Sequence, residues 1–448
     1  MTISPQGKPN QRYNINAVVH ETGVNAATIR TWERRYGLPQ PQRSAGRHRH
    51  YSQKDIDTLK WLLDRQAEGV SIRHAAESWH TLVAQGVDPL QDNYPAAIAT
   101  EVAPPALAAN PQLDELRQRW IDACLAFKRE AAEGLLTEAF ARFSPELVCT
   151  DLLQKAMGQI GQGWYVGAIT IQQEHFASAL AVRRLEGLVA ATPQPVHAQR
   201  ILVCCAPEEH HLFSTLLLTY LLLRKGWDVY YLGANVPATA MKQTISQIKP
   251  HLVILAAQRL YTAATLLDMA QLLGDEQLIV GYGGIVFNQM PALQQKIPGH
   301  FLGRTLGEAL ENVAQLLTVG PPEADLPRPV DTINPLAKPL AQYMARRTLI
   351  ESHVWGSFVA EGEPTEDLTV VNRIIAEAVI AALKLGDIKF AGADFAYIEH
   401  LLISQRPTHQ WLQRYVRTYH QATKIHLSDS ATLIVDWLAQ IVASAPNA

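Results

Sequence analysis

Two groups of residues in this chain have the makings of chemistry. The first is Glu208 and His210 in the polar turn Ala206-Pro-Glu-Glu-His-His211, with Ala256, Gly283 and Gly284 further on. A carboxylate, an imidazole and bare glycine backbone are parts of a ligand site, the glycines because they let another molecule approach the main chain. The second group is basic. Residues 1–65 hold eleven Lys/Arg against five Asp/Glu, a local charge of +6 in a chain whose formal net charge is −3. A basic end on an acidic body suits a polyanion.

The first group needs a sheet to hold it. Apolar runs at 201–205, 227–232, 251–257 and 277–280 alternate with helical stretches at 212–225 and 238–248 and a third ending near Gly274. That alternation predicts βαβ units on a parallel sheet. Ligands on such sheets sit at the carboxyl ends of the strands, where all five residues fall.

The second group needs helices. Asn16 can cap a short helix through His20, Gly23 can make a tight turn, and Asn25 can cap a second helix to about Tyr36. A second helix in that setting offers Ala27, Thr28, Arg30, Arg34 and Arg35 to a major groove. Arg43, Arg47 and Arg49 follow on a basic wing suited to phosphates, and Tyr51 is placed to pack on sugar or phosphate.

Composition narrows the rest. At 448 residues, 48% apolar and 18% charged, the chain is long enough for three or four domains with large cores. Cys124, Cys149, Cys204 and Cys205 make no CxxC pair and read as reduced core residues, which points to the cytoplasm. No signal peptide and no membrane-spanning run stands out.

The string Ile29-Arg-x-Trp32-Glu-Arg-Arg-Tyr-Gly-Leu38, with Pro41, Arg43, Gly46, Arg49-x-Tyr51-Ser and Asp55-Ile56, resembles the MerR family of transcriptional regulators over about 70 residues. The resemblance implies a winged helix-turn-helix dimer on an inverted repeat.

After a proline- and alanine-rich linker, helical spacing returns from Leu113, with further segments near 131–143, 145–162 and 171–191, enough for a four-helix bundle. Trp164, then nine residues, then Glu174-His175 resembles the cap of cobalamin-binding regulators of the CarH/LitR type. Those proteins join a MerR head, a bundle and a cobalamin-binding domain in this order, and the likeness covers about residues 10–318. It implies adenosylcobalamin as cofactor, with Trp164 over the adenosyl group and Glu174 and His175 hydrogen-bonding to it. It also implies His210 as cobalt ligand, oriented by Glu208, and Gly283-Gly284 beside the nucleotide tail.

The family pattern is Asp/Glu-x-His-x-x-Gly followed later by Ser, and this chain has Phe213 and Ala256 in those places. A second register, Glu209-x-His211-x-x-Ser214, puts a smaller residue at the glycine position, but strand-end geometry favours His210. Tyr165 stands where the family has a histidine that takes cobalt's upper position after light, so water there or loss of the cofactor is the expected light product.

A second proline-rich linker, 319–335, leads to helical residues 336–446. Trp355, His400, His409, His420 and His426 invite a haem or chromophore reading, and a plain dimerisation or signalling domain is the alternative.

The expectation is a multidomain α and α/β protein. It comprises a winged helix-turn-helix (10–80), a linker (81–111), a four-helix bundle (112–192), a Rossmann-like cobalamin-binding domain (198–318) and a C-terminal helical domain. The function expected is a DNA-binding repressor that senses adenosylcobalamin and light, self-associates as a dimer or tetramer and turns over no substrate. Two alternatives stand beside it. One is a cobalamin-independent MerR-type regulator whose sensor fold binds a protein partner, and the other is a corrinoid methyl-transfer protein, which the MerR-like head disfavours.

Overall fold

A computed structural model describes residues 13–22, 24–43, 49–67, 72–73, 75–76, 79–80, 110–276, 278–320, 334–392 and 409–444. The chain falls into two compact units, Met1–Ala106 and Leu107–Ala448. Residues 81–109 and 321–333, most of both expected linkers, lie outside the described residues, as do Gly23 and Arg47.

The first unit has three helices whose bounds lie among the described residues, and residues 72–73, 75–76 and 79–80 are helical as well. In α1 (Ile15–Thr22) the cap is Asn14 rather than Asn16: its Oδ1 accepts from the Ala17 amide at 2.9 Å. α2 (Ala26–Tyr36) is capped as its sequence asks, with Asn25 Oδ1 on the Thr28 amide. Gly37 closes α2 at φ +67°, a left-handed turn that glycine makes without strain. β1 (Gln42–Arg43) and β2 (Arg49–His50) pair antiparallel as the wing, and α3 (Gln53–Ala67) follows. Val18, Ile29, Trp32, Ile56 and Leu59 meet in one small core.

The second unit opens with the bundle. α4 (Pro111–Leu125) and α5 (Arg129–Arg142) are followed by a helix that enters at Pro145–Leu147, widens to π geometry over Val148–Gln154 and continues as α6 (Lys155–Tyr165). α7 (Ile171–Ala190) completes it, around Trp120, Leu136, Leu152, Ile160 and Leu185.

The sheet has strands β3 (Arg200–Cys205), β4 (Asp228–Gly233), β5 (Leu252–Ala256), β6 (Ile279–Gly283) and β7 (His300–Phe301), all parallel, in the order β4-β3-β5-β6-β7. β7, two residues long, is too short to show in an apolar pattern. Helices α8 (Phe213–Arg224), α9 (Met241–Ile248), α10 (Leu260–Asp275), α11 (Ile285–Gln289) and α12 (Leu306–Thr318) connect and follow the strands. Strand order reverses at β3 and β5, so the ligand crevice of the fold lies between their carboxyl ends. α8 serves two cores at once: Leu216, Leu217, Tyr220 and Leu221 join the bundle, and Leu218 and Leu222 join the sheet.

Among the described residues the chain continues with α13 (Ala337–Ala360), α14 (Leu368–Lys384), α15 (His409–His426) and α16 (Thr432–Ser444). Their interior is continuous with that of the sheet, in one apolar cluster from Leu202 to Leu438. Lys384 of α14 forms an ion pair with Asp268 of α10. Tyr343 and Tyr419 share a hydroxyl hydrogen bond of 2.5 Å in this core, and the Tyr415 hydroxyl donates to Asn372 at 2.6 Å.

Candidate functional site

The turn after β3 does not bring Glu208 and His210 together. Glu208 adopts a left-handed φ of +65°, its amide donates to Asn235 Oδ1 at 2.7 Å, and its carboxylate engages Tyr261. His210 is exposed and makes no side-chain hydrogen bond among the described residues. The next two residues meet instead. Glu209 is 1% exposed, and its Oε1 lies 2.6 Å from His211 Nδ1 and 2.9 Å from the His211 amide. Its Oε2 accepts from the Gln258 amide at 2.7 Å and the Thr262 hydroxyl at 2.6 Å.

The acid–imidazole pair is therefore Glu209–His211, a correction to the expected Glu208–His210. The left-handed step at Glu208 turns the chain so that the following carboxylate points inward. This pair bridges the loops after β3 and β5, across the crevice of the fold. Phe213, which stands at the family's glycine position in the first register, packs with Leu212 against the bundle core, and the position three after His211 is the exposed Ser214.

Charge follows from this geometry. Burial alone would raise the Glu209 carboxyl, but the hydrogen bond and charge of His211, with the Thr262 hydroxyl, hold it down at about 2. Glu209 is thus a carboxylate, and His211 Nδ1 carries the proton that binds it. His211 is pushed up in turn, first by that hydrogen bond. Glu174 of the bundle adds to the rise and Arg259 opposes it, so both charges lie within reach of this imidazole.

Ala256 ends β5, and its carbonyl accepts from the Ala206 amide at 2.9 Å. Gln258 is a second bridge: its Oε1 accepts from the Ile285 amide at 3.0 Å, tying the β5 and β6 loops together. Gly284 sits at φ +130°, and a Cβ there would lie 1.7 Å from the Ala257 carbonyl oxygen. A Cβ at Gly283 would meet nothing within 4 Å.

The cap residues flank the turn between α6 and α7, Trp164 in the last turn of α6 and Glu174 and His175 near the start of α7. The Ala168 and Ile169 amides donate back to the Gly163 carbonyl, and the Ile169 side chain fills the space a Cβ on Gly163 would need. Trp164 is half-buried beside this turn. Thr170 and Gln173 form a capping box that starts α7, and Gln173 Nε2 donates to the Leu125 carbonyl at 2.8 Å, fixing the cap to the α4–α5 corner. His175 Nδ1 lies 2.6 Å from Glu174 Oε2, and the His175 ring is 71% exposed.

In the first unit, Arg30, Arg34 and Arg35 are exposed along α2, and Thr28 is half-buried. Arg49 is not a free phosphate ligand, because its Nε donates to Glu33 at 2.7 Å. Tyr51 is a correction: it is fully buried, its backbone pairs with Tyr13, and its hydroxyl makes no hydrogen bond among the described residues. Its ring holds the wing to the helices and does not face a duplex. The Arg43 side chain, like Arg47, lies outside the described residues.

The MerR HTH regulatory protein family matches residues 13–80, and a B12 binding domain family matches residues 116–188. The chain is 31% identical to the HTH-type transcriptional repressor CarH of Myxococcus xanthus over 54% of this chain and 77% of that protein.

It belongs to the CarH family of transcriptional repressors.

CarA of the same organism is 30% identical over 55% of this chain and 76% of its own length. The regulator MlrA of Escherichia coli strain K12 is 44% identical over 60 residues, 13% of this chain and 25% of that protein. As a CarH-family member the chain is a DNA-binding transcription regulator with a B12-binding domain.

The donor set suits a corrinoid. Among the described residues no group of three His, Cys, Asp or Glu side chains could hold a bare metal ion. A corrin ring already gives cobalt four nitrogens and asks the protein for one. His211 is 66% exposed with Nδ1 anchored, which leaves Nε2 to ligate. The open space at Gly283 adds room along the same edge.

Elsewhere, burial pushes the thiols of Cys124, Cys149 and Cys204 up to about 12 and that of Cys205 to about 11, so all four are inert thiols of the core. No helix among the described residues is long and apolar enough to cross a membrane. Of the residues that invited a haem reading, Trp355 lies on the surface of α13, and His426 meets the ring of His353 at 5.5 Å. His420 is half-buried, and the side chains of His400 and His409 lie outside the described residues.

Proposed function

We propose that this chain is a cytoplasmic repressor whose hold on DNA is set by adenosylcobalamin and, through it, by light. The observation that carries the reading is the Glu209–His211 pair at the crevice between β3 and β5. When bound, adenosylcobalamin supplies a cobalt–carbon bond that light can break. His211 gives Nε2 to the cobalt, and Glu209 keeps the proton on Nδ1 so that the right nitrogen is offered. Gly283, with open space where a Cβ would stand, leaves backbone for the nucleotide tail, and Gly284 lets the chain pass close over the Ala257 carbonyl beside it. Trp164 excludes water from the upper side, while Glu174 and His175 offer hydrogen bonds to ribose or base.

Arg30, Arg34 and Arg35, with Thr28, are the residues of α2 for the duplex, and Arg43 and Arg47 serve the wing. The ligand-bound arrangement of bundle and sheet joins copies into a dimer or tetramer, which raises avidity for an operator without new base contacts. No substrate is turned over, so this is not an enzyme. Tyr165 would offer a phenol where the family has an imidazole, a poorer ligand for cobalt, so this side chain would not hold the cofactor once the adenosyl group is lost.

The test is spectroscopic. The full chain is mixed with adenosylcobalamin in the dark, freed of excess and illuminated. A retained corrinoid spectrum that changes with light, is lost in His211→Ala and survives in His210→Ala is the expected result. A wild-type chain that retains no corrinoid would leave a cobalamin-independent regulator whose sensor fold meets a protein partner.

A further inference from the structure

The ligand turn hangs on one helix. Three successive residues of the turn, Pro207, Glu208 and Glu209, each meet a side chain from the first two turns of α10. The Thr265 hydroxyl donates to the Pro207 carbonyl at 2.6 Å, the Tyr261 hydroxyl meets the Glu208 carboxylate, and the Thr262 hydroxyl donates to Glu209 at 2.6 Å.

α10 is itself held from behind. One side of it packs on β5 and β6, and another packs along α14 of the C-terminal helices. The register of the two helices can be read at two points. Asp268 of α10 pairs with Lys384 of α14. Seven residues earlier on each helix stand Tyr261 and Glu377. Burial first, then the charges of Glu208 and Glu377, push the Tyr261 phenol above its ordinary value, and Arg347 of α13 opposes them, so all three charges lie within reach of this hydroxyl. Seven residues are two turns, so α10 and α14 run the same way and stay matched over about 10 Å. The matched stretch ends at the turn's own anchors.

The contact is of the kind found inside domains. Domains joined only by a linker meet over modest, rather polar faces and move freely. Here Ala264 and Leu267 of α10 share one buried apolar core with Ile375 and Val379 of α14. A close-packed interior passes a displacement on, because it has little room to absorb one.

We infer that Tyr261 and Thr265 are positioning residues for the ligand turn, and that the C-terminal helices keep them in place through α14. These helices are then a working part of the sensor, and loosening them loosens the turn. That the turn serves a corrinoid rests on the function proposed above, so the test begins without one.

Hydrogen exchange is followed in the full chain at the Glu209 and Asn235 amides, which donate to the Ala206 and Glu209 carbonyls. Thr265→Val keeps the side chain's shape and removes its hydroxyl, and protection at both amides should fall about tenfold. Tyr415→Phe acts from the C-terminal core, where it takes the donor from Asn372 of α14. Exchange in α14 should quicken about tenfold, and at Glu209 and Asn235 by a similar factor. Ile375→Ala, a cavity in the same core, gives a second and stronger perturbation of α14. Quickened exchange in α14 with the two turn amides within twofold of wild type would overturn the role given to the C-terminal helices. An unaltered turn in Thr265→Val would overturn the positioning role. Where adenosylcobalamin is retained, it should slow exchange in α14 as well as in the turn, since coupling is reciprocal. A wild type that retains none sinks the corrinoid reading and leaves the corrinoid-free result standing.

Discussion

Replacing Glu209 with Gln keeps the size of the side chain and removes its charge. Four donors converge on this carboxylate: the His211 amide and Nδ1 on one oxygen, the Gln258 amide and the Thr262 hydroxyl on the other. An amide retains one accepting oxygen. If that oxygen faces His211, the new NH2 confronts the Gln258 amide and the Thr262 hydroxyl. The hydroxyl can rotate to accept, but the Gln258 N–H cannot and is left unpaired in a buried place. An unpaired buried donor costs about 1–3 kcal/mol, and the loss of charge assistance on the remaining bonds adds to it, so about 2–4 kcal/mol is expected. Global unfolding of so many modules is not two-state, so the measurement should be local. Native-state hydrogen exchange of the full chain without cofactor should show protection at the Gln258 and His211 amides lowered by about 30- to 700-fold. Corrinoid affinity should fall about 10- to 100-fold, the usual effect of losing an imidazole's carboxylate partner. Exchange unchanged within threefold at both amides would refute the assignment of Glu209 as the centre of this turn.

Other outcomes follow from the same structure. Gly284→Ala should lower local stability by more than about 3 kcal/mol, because its Cβ would collide with the Ala257 carbonyl; hydrogen exchange at the Ala257 amide near wild type would contradict this. Acid should weaken the Glu209 network in a defined window: its folded value is about 2 against an ordinary 4.5, so its stabilisation is complete above pH 4.5 and is lost as pH falls toward 2. Wild-type protection at Gln258 should converge on that of Glu209→Gln over that range, and a gap that persisted at pH 2 would count against the ionised carboxylate. In the first unit, Arg34→Ala should weaken operator binding and reduce its salt slope by about one, while Tyr51→Phe leaves both unchanged, as titrations at several salt concentrations would reveal.

Much of the fold is legible in local pattern. Asn25 and Gly37 announce the ends of α2 because capping is decided within a few residues, and the alternation of apolar runs with helical stretches locates β3 to β6 because a buried parallel strand tolerates little else. The register of the ligand turn is not legible. Glu208-x-His210 and Glu209-x-His211 are the same pattern shifted by one, and the choice between them depends on the left-handed backbone at Glu208 and on Thr262, more than fifty residues away. Tyr51 misled for a similar reason: a tyrosine in a basic wing reads as a contact until a neighbouring helix is seen to bury it. In the C-terminal helices the stripe through Ala376, Val379 and Leu383 says that a face is covered but not that α10 lies within reach of it.

One consequence lies in α8. Its first residue is two positions beyond His211, and the rest of the helix is mortared into the bundle on one side and the sheet on the other. Only Leu212, itself packed against the bundle core, separates the imidazole's residue from the helix. If that ring meets the ligand as proposed, any displacement of it would pass into a helix that both halves of the sensor grip, and ligand turn and bundle would be mechanically one piece.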